Sequence, residues 1–371
     1  MPEAHETVLE IDLGALAHNY RTIRSKVPAD VKFMAVIKAY AYGNDSVSFA
    51  RKLEELGANY LAVAYIQEGV RLRAAGITAP VMIFHPQKEN FEQLIEHCLE
   101  PSLYSEKLLR EFIAFAEEKK QKDYPVHIKF NTGMNRLGFA EKATEKVFEI
   151  LRNTSAVKVH SVFSHLAASE DWKEREFTLN QINRFRSIAQ KFIEEFSYEP
   201  LLHICNTSAI FNYPEAALSM VRSGIGLYGF GNDKNIDANL KPVGTLKTII
   251  SQIQHLEPGD TVGYNRTYKV DKPSKIATLP LGYADGIHRK YGNEKTGVYI
   301  HGQFAPIVGN VCMDIIMIDV TEIDCKEGDE VIVFGNVQHA TRFAEAGNTI
   351  SYELITGISQ RVTRLILEEE Q

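Results

Sequence analysis

The segment FMAVIKAYAYGND sets Lys38 directly behind an apolar run, with Tyr40, Tyr42 and Gly43 following it. A lysine among apolar neighbours gives up its proton more readily than one in water, which suits it to forming Schiff bases with carbonyl compounds. The same lysine also reads as a solvated charge at a strand end. Tyr40 and Tyr42 alternate onto the side of Lys38, and Gly43 frees the chain to turn. Further along, HIKFNTGMNRLGF carries Arg136 on a glycine-bounded loop, and VFSHLA carries His165. HICNTSA offers the Thr207 and Ser208 hydroxyls where a helix begins, and VRSGIGLYG joins Arg222 to Gly224 and Gly226. Hydroxyls, helix-start N–H groups and closely approaching glycine backbone are what an anion such as phosphate requires. Each motif alone is weak, since a single histidine is more often structural and SGIG also reads as a tight turn. An amine that condenses with aldehydes and a cradle for phosphate point to one ligand class, a phosphorylated aldehyde.

These groups need a frame that brings distant segments to one mouth. Eight apolar runs, at 33–37, 60–64, 81–84, 102–104, 126–130, 159–163, 201–205 and 221–229, alternate with amphipathic stretches such as 46–56, 67–75, 106–120, 142–152 and 175–196. Alternation of this kind over about 240 residues predicts an α/β chain built on a (β/α)8 barrel, with catalytic groups at the C-terminal ends of its strands. The barrel is expected over residues 1–240, with the first ten or so forming a strand that could join the second domain. From residue 241 to 371 the texture changes. Prolines punctuate short alternating stretches at 298–300, 315–320 and 330–334, which predicts a C-terminal, mostly β domain. HLEPGDTVGY and CKEGDEVIVFG place Gly-Asp at turns feeding strands. The last element, 351–367, reads as a helix.

Composition excludes several classes. The chain carries 48 acidic and 41 basic residues without a basic block, which argues against nucleic-acid or anionic-membrane partners. No run is apolar for the ~18 residues a spanning helix needs, and no signal-like segment opens the chain, so a cytoplasmic location is expected. The four cysteines, Cys98, Cys205, Cys312 and Cys325, form no CxxC pair and match no metal template, so reduced thiols and no metal site are expected.

The motifs KAYAYGND, KFNTGMNRLGF, FSHLA, HICNTSA, RSGIGLYG, VGYNRTY, LGYADG, GNVCMD and ISYELIT occur in the order found in alanine racemases, which this sequence resembles over nearly its whole length. HETVLEIDLGALAHNYR and YLAVAYIQEGVRLRAAGIT look most like the racemase half of a bifunctional ligase–racemase of peptidoglycan synthesis, although no Gly-rich nucleotide loop is present. The resemblance implies a homodimer that interconverts L- and D-alanine with pyridoxal 5′-phosphate. It implies that Lys38 holds the cofactor and serves as base on the D face, and that Tyr264 from the partner subunit serves on the L face. Arg222 would bond the pyridine nitrogen and, being always charged, keep it unprotonated. His165 would orient Arg222 and Tyr264, and Arg136 would bond the phenolic oxygen near the substrate carboxylate. Tyr42, Asn206, Thr207, Gly224, Ile225 and Tyr352 would hold the cofactor, mainly at its phosphate. Met313 and Asp314 of the partner, with Tyr283, would line the substrate entrance. Lys129 stands where many racemases carry a carbamylated lysine that orients the arginine at Arg136; otherwise it is a lysine paired with an acid.

The sequence departs from that family at Tyr40 and Asn44, where asparagine and histidine are usual, and at Asn131, where aspartate is common. Thr207 replaces a serine but keeps the hydroxyl, and Thr363 replaces a proline expected in a C-terminal helix. Tyr40 is bulkier and is expected near the cofactor. Competing readings are a racemase of serine or basic amino acids, a decarboxylase on the same fold, and a non-catalytic single-barrel cofactor-binding protein. Arg222 argues against the decarboxylase, which would set an acid at the ring nitrogen. Tyr264 argues against the single-barrel protein.

Overall fold

The computed structural model describes residues 6–231 and 233–368. Of the opening strand expected at the N-terminus, residues 1–5 lie outside the described residues; β1 (Thr7–Asp12) follows. The next eight strands are β2 (Lys32–Val36), β3 (Tyr60–Val63), β4 (Val81–Ile83), β5 (Glu100–Leu103), β6 (Tyr124–Lys129), β7 (Val157–Phe163), β8 (Leu201–His203) and β9 (Met220–Ser223). They pair in parallel, in the order β8-β7-β6-β5-β4-β3-β2-β9. The Arg222 N–H, donating to the Cys205 carbonyl at 3.1 Å, draws the two ends of this sheet together into a barrel. Parallel strands covered on both faces need near-continuous apolar sequence, and KFMAV, YLAV and VMI supply it.

Helices cover the outside where apolar residues recur at helical spacing. In Glu106–Glu118 the buried set is Leu108, Leu109, Phe112, Ile113 and Ala116, and the Ser105 hydroxyl caps the first turn by accepting from Leu108 N. The eighth barrel strand ends at Ser223, shorter than the apolar run suggested. Gly224 breaks it, and Ile225–Tyr228 form a tight 3-10 turn.

The remaining strands are β10 (Gly244–Ile249), β11 (Gln252–Leu256), β12 (Thr261–Val262), β13 (Tyr268–Lys269), β14 (Ser274–Leu279), β15 (Gly297–Ile300), β16 (Gln303–Val308), β17 (Ile316–Asp319), β18 (Glu330–Phe334) and β19 (Thr363–Leu367). With β1 they form a nine-stranded sheet, β11-β14-β17-β16-β15-β18-β10-β1-β19, beside the small β12–β13 ribbon. The stretch 351–367 is therefore not one helix. Its helix runs only from Ser351 to Thr356, and β19 pairs in parallel with β1. Gly357 ends the helix, and β-branched Val362, Thr363 and Ile366 suit a strand that covers the open edge of β1. Thr363 thus opens an edge strand, a position that also tolerates proline.

Candidate functional site

Lys38 follows β2 at the C-terminal mouth of the barrel, but the chain does not continue as a strand. Ala39, Tyr40, Ala41 and Tyr42 all take left-handed backbone angles, with φ of 52–55°. Such conformations cost about 1–2 kcal/mol each for residues with a Cβ, and runs of them are held only by surrounding structure. Glu68 provides part of that hold, accepting from Ala39 N at 2.5 Å, Ala64 N at 2.8 Å and Tyr65 N at 3.0 Å. Gly43 (φ 86°) lies so close to the Ile355 carbonyl that no Cβ fits, which docks the turn against the helix Ser351–Thr356.

The turn separates the two tyrosines expected to share a side. Tyr42 is buried, stacked on Tyr228 at 4.4 Å, whereas Tyr40 is 43% exposed beneath the Arg71 guanidinium and lines no part of the cavity. A left-handed turn does not alternate sides as a strand does, so Tyr40 is not a neighbour of the cofactor site. Asn44 is also turned away, its amide donating to the Ala41 carbonyl at 2.8 Å. Asn131 shapes the loop ahead of Arg136 by accepting from Gly133 N and Asn135 N.

The barrel mouth opens into a cavity of about 570 Å³. Lys38, Tyr42, Lys129, Arg136, His165, Asn206, Thr207, Arg222, Gly224, Ile225 and Tyr352 all line it. Four of these are cations. Burial chiefly, then Arg136, lowers the Lys38 amine, with Glu68 opposing. Burial and the charges of Arg136, Arg222 and Lys38 bring Lys129 down to about 8, and no acid pairs with it among the described residues. Of the two readings of Lys129, the lysine paired with an acid finds no such acid among the described residues. Arg222 is buried and held by the Ser164 carbonyl (2.6 Å), the His203 carbonyl (3.2 Å), His203 Nδ1 and His165 Nδ1 (3.3 Å). Burial lowers it to about 10, still far above neutrality. Burial first, then Arg222, pushes His165 well below its usual range, so its ring is neutral and Nδ1 accepts.

Opposite these cations lies a cradle of hydroxyls and backbone. A Cβ on Gly224 would meet Tyr42 Oη at 2.5 Å, so the glycine lets that phenol reach the cavity wall. Thr207 Oγ1 lies 3.0 Å from Ser223 Oγ and accepts from Gly224 N at 3.3 Å. Gly226 does not face the cavity; its missing side chain makes room for Thr207 and Ile23. Burial keeps the Tyr42 phenol protonated and a donor. Positive charge in excess, hydroxyl donors and a glycine wall suit a phosphate, and a poorly solvated amine suits an aldehyde. The residues present fit pyridoxal 5′-phosphate. Gly224→Ala is expected to displace Tyr42 and weaken cofactor affinity about 10-fold, read by titrating the cofactor into stripped protein.

The other candidates lie elsewhere in the same chain. Tyr264 is 71% exposed at the start of the turn Tyr264–Arg266 between β12 and β13, its carbonyl accepting from Asn310 Nδ2 at 3.1 Å. Tyr283 and Met313 are exposed on neighbouring backbone, Tyr283 N donating to the Cys312 carbonyl. Asp314 pairs with Arg361 at 2.7 Å, which also binds Asp285. None of these four lines the cavity of its own chain. Sequence reading overlooked Phe84, His85, Met134 and Glu170 in the cavity wall and His203 behind Arg222. The signal for His203 was a polar residue inside the apolar strand run LLHIC.

Two family models match the chain, "Alanine racemase, N-terminal domain" over residues 11–231 and "Alanine racemase, C-terminal domain" over 243–366. The alanine racemase of Clostridium perfringens is 41% identical over 367 residues, covering 96% of this chain and 94% of that protein. The solved alanine racemase of Clostridium difficile 630 superposes with a TM-score of 0.92 at 34% identity, covering 99% of this chain and 97% of the other. That of Bartonella henselae, described with covalently bound pyridoxal phosphate, gives a TM-score of 0.88 at 28% identity, covering 98% and 100%.

Proposed function

The chain belongs to the alanine racemase family, and from that premise we propose that it interconverts L- and D-alanine by a two-base mechanism shared between two subunits. The observation that carries this reading is the cavity itself, where Lys38, Lys129, Arg136 and Arg222 face a cradle built from Tyr42, Thr207 and Gly224. Bound pyridoxal 5′-phosphate supplies an aldehyde for the amine and a ring that takes up the electron pair left when Cα–H breaks.

This chain's residues do the rest. Lys38 would hold the aldehyde carbon and move a proton to and from the D face of Cα, and its lowered basicity favours the free amine that accepts that proton. Tyr42, Asn206, Thr207, Gly224, Ile225 and Tyr352 hold the phosphate end. Arg222 would face the ring nitrogen with a permanent charge and keep it unprotonated, which would limit charge delocalisation and disfavour side reactions. Arg136 takes the phenolic oxygen and steers the substrate carboxylate. Tyr264 of the partner subunit exchanges the proton on the L face, with His165 behind it, and Tyr283 with the partner's Met313 and Asp314 narrows the entrance for a small side chain. The exposed edge carrying Tyr264, Tyr283 and Met313 supports a second copy of this chain as its cover. The division near residue 240 gives the barrel most of the cofactor's contacts, and the β domain Tyr352 and the second base.

Among the described residues no helix is long and apolar enough to cross a membrane, and all four cysteines are free. We assign the enzyme to the cytoplasm, supplying D-alanine for peptidoglycan. The likeness to a fused ligase–racemase rests on the two N-terminal motifs alone. Formation of D-alanine from L-alanine by the holoenzyme tests the reaction, and faster turnover of serine, lysine or arginine would overturn the choice of substrate.

Lys129 is assigned as a carbamate. With its amine near 8, about a tenth is unprotonated at pH 7, and only that form adds carbon dioxide. Its anion would answer the unbalanced charge of Arg136. Carbamate therefore increases as pH rises through about 8 and declines as pH falls below it. Labelling with 13C bicarbonate should give a carbamate carbon signal that vanishes in Lys129→Ala; no signal at pH 8 dismisses the assignment.

A further inference from the structure

Arg222 is a buried cation with no direct counter-charge. Its partners are the carbonyls of Ser164, His203 and Ile204 and the rings of His165 and His203, and no carboxylate pairs with it among the described residues. A barrel interior is ordinarily filled with layers of branched apolar side chains. Here a line of buried polar groups runs from Arg222 toward the opposite, N-terminal end. His203 Nε2 lies 2.9 Å from Ser161 Oγ. Ser161 Oγ lies 2.6 Å from His127 Nδ1, and His127 Nε2 lies 2.8 Å from Glu100 Oε2. His127, Ser161 and His203 are wholly buried, and Glu100 nearly so.

The two ends dictate the hydrogens between them. Arginine has only donors, so His203 Nδ1 is bare and its hydrogen sits on Nε2, facing Ser161. Ionised Glu100 only accepts, so His127 carries its hydrogen on Nε2 and leaves Nδ1 bare toward Ser161. Ser161 then accepts from His203 and donates to His127, which satisfies each polar atom along the line. Glu100 is kept ionised: burial opposes it, but the hydrogen bond donated by His127 Nε2 and its polar surroundings lower it on balance.

We propose that Glu100 is the remote counter-charge of Arg222, joined to it by His203, Ser161 and His127 with every hydrogen pointing toward the carboxylate. Glu100 is a positioning residue in this arrangement. It fixes the ring of His203, which in turn fixes the guanidinium facing the cofactor site. The part played in racemisation rests on Arg222 serving the ring nitrogen, whereas the hydrogen pattern does not. Buried chains of this kind polarise one another, so removing the terminal charge weakens every link.

The test has two arms on the holoenzyme. In 15N-histidine-labelled protein, His127 and His203, each assigned by its loss in the His→Gln variant, should both show bare Nδ1 and protonated Nε2. A doubly protonated His127, or a hydrogen on Nδ1 of either ring, overturns the proposal. In the second arm, Glu100→Gln should lower kcat by about 10- to 100-fold with KM little changed, as for other residues that orient a functional histidine from behind. Ser161→Ala should do the same, and the double variant should be no slower than either, because both cut one line. Independent, multiplying losses, or full activity in Glu100→Gln, overturn the coupling. If Glu100→Gln does not fold, Ser161→Ala decides alone: a kcat loss at constant KM supports the line, and full activity overturns it. A wild-type holoenzyme with the predicted ring pattern but no racemase activity would overturn the proposed reaction and leave the line standing.

Discussion

Tyr264→Phe will leave the cofactor bound and the fold intact while lowering racemisation by about 10²–10⁴-fold, the range for loss of a positioned acid–base group. The substitution removes one hydroxyl from a side chain that is 71% exposed in its own chain, so stability should move by no more than about 0.5 kcal/mol. The informative readout is asymmetric. Lys38 remains in place on the D face, so D-alanine incubated in deuterated water should still exchange its α-hydrogen without becoming L-alanine. L-alanine should keep its α-hydrogen, because the base on its face is missing. Equal exchange of both enantiomers at the wild-type rate would sink the assignment of Tyr264. Loss of visible cofactor absorption would instead show that Tyr264 acts in binding.

This asymmetry depends on two halves of a site that periodicity places unequally. The barrel was legible because eight buried parallel strands demand apolar runs, and runs such as FMAV, YLAV and VMI have little other use. The surroundings of Lys38 were not legible in detail. Four residues with φ near +53° break the alternation assumed for Tyr40 and Tyr42, and nothing local favours that conformation. It is imposed by Glu68 from the next βα unit and by the helix at Ser351–Thr356, both distant in sequence. The C-terminal strand was misread for a related reason. ITGISQRVTRLIL carries helical spacing and strand-forming residues together, and the open edge of β1 decides between them. The polar line from Arg222 to Glu100 left a fainter trace, His127, Ser161 and His203 inside the apolar runs VHIK, VHSVF and LLHIC, which reads as noise until parallel pairing sets His127 beside Ser161.

Mixing two inactive variants will restore activity if each site is built from two chains. In the proposed scheme Lys38→Ala lacks the residue that holds the cofactor and serves the D face, and Tyr264→Phe lacks the base on the L face. Each homodimer then has two crippled sites. In a hybrid dimer one site pairs the intact Lys38 of the Tyr264→Phe chain with the intact Tyr264 of the Lys38→Ala chain, and the other site carries both lesions. Random reassociation of equal amounts makes about half of the dimers hybrids, each with one working site of two, so about a quarter of wild-type activity should return. The recovered rate should depend on subunit exchange, appearing after partial denaturation and refolding of the mixture and not on simple addition at high concentration. In the proposed dimer the exposed edge bearing Tyr264, Tyr283 and Met313 is the surface through which this exchange would run. A charge reversal there, Asp314→Arg, sets a cation against the Arg361 that Asp314 now binds, so it should reduce the yield of hybrids. No recovery from properly refolded mixtures would mean that Lys38 and Tyr264 do not meet across chains, and the second base would have to be sought within the barrel cavity itself.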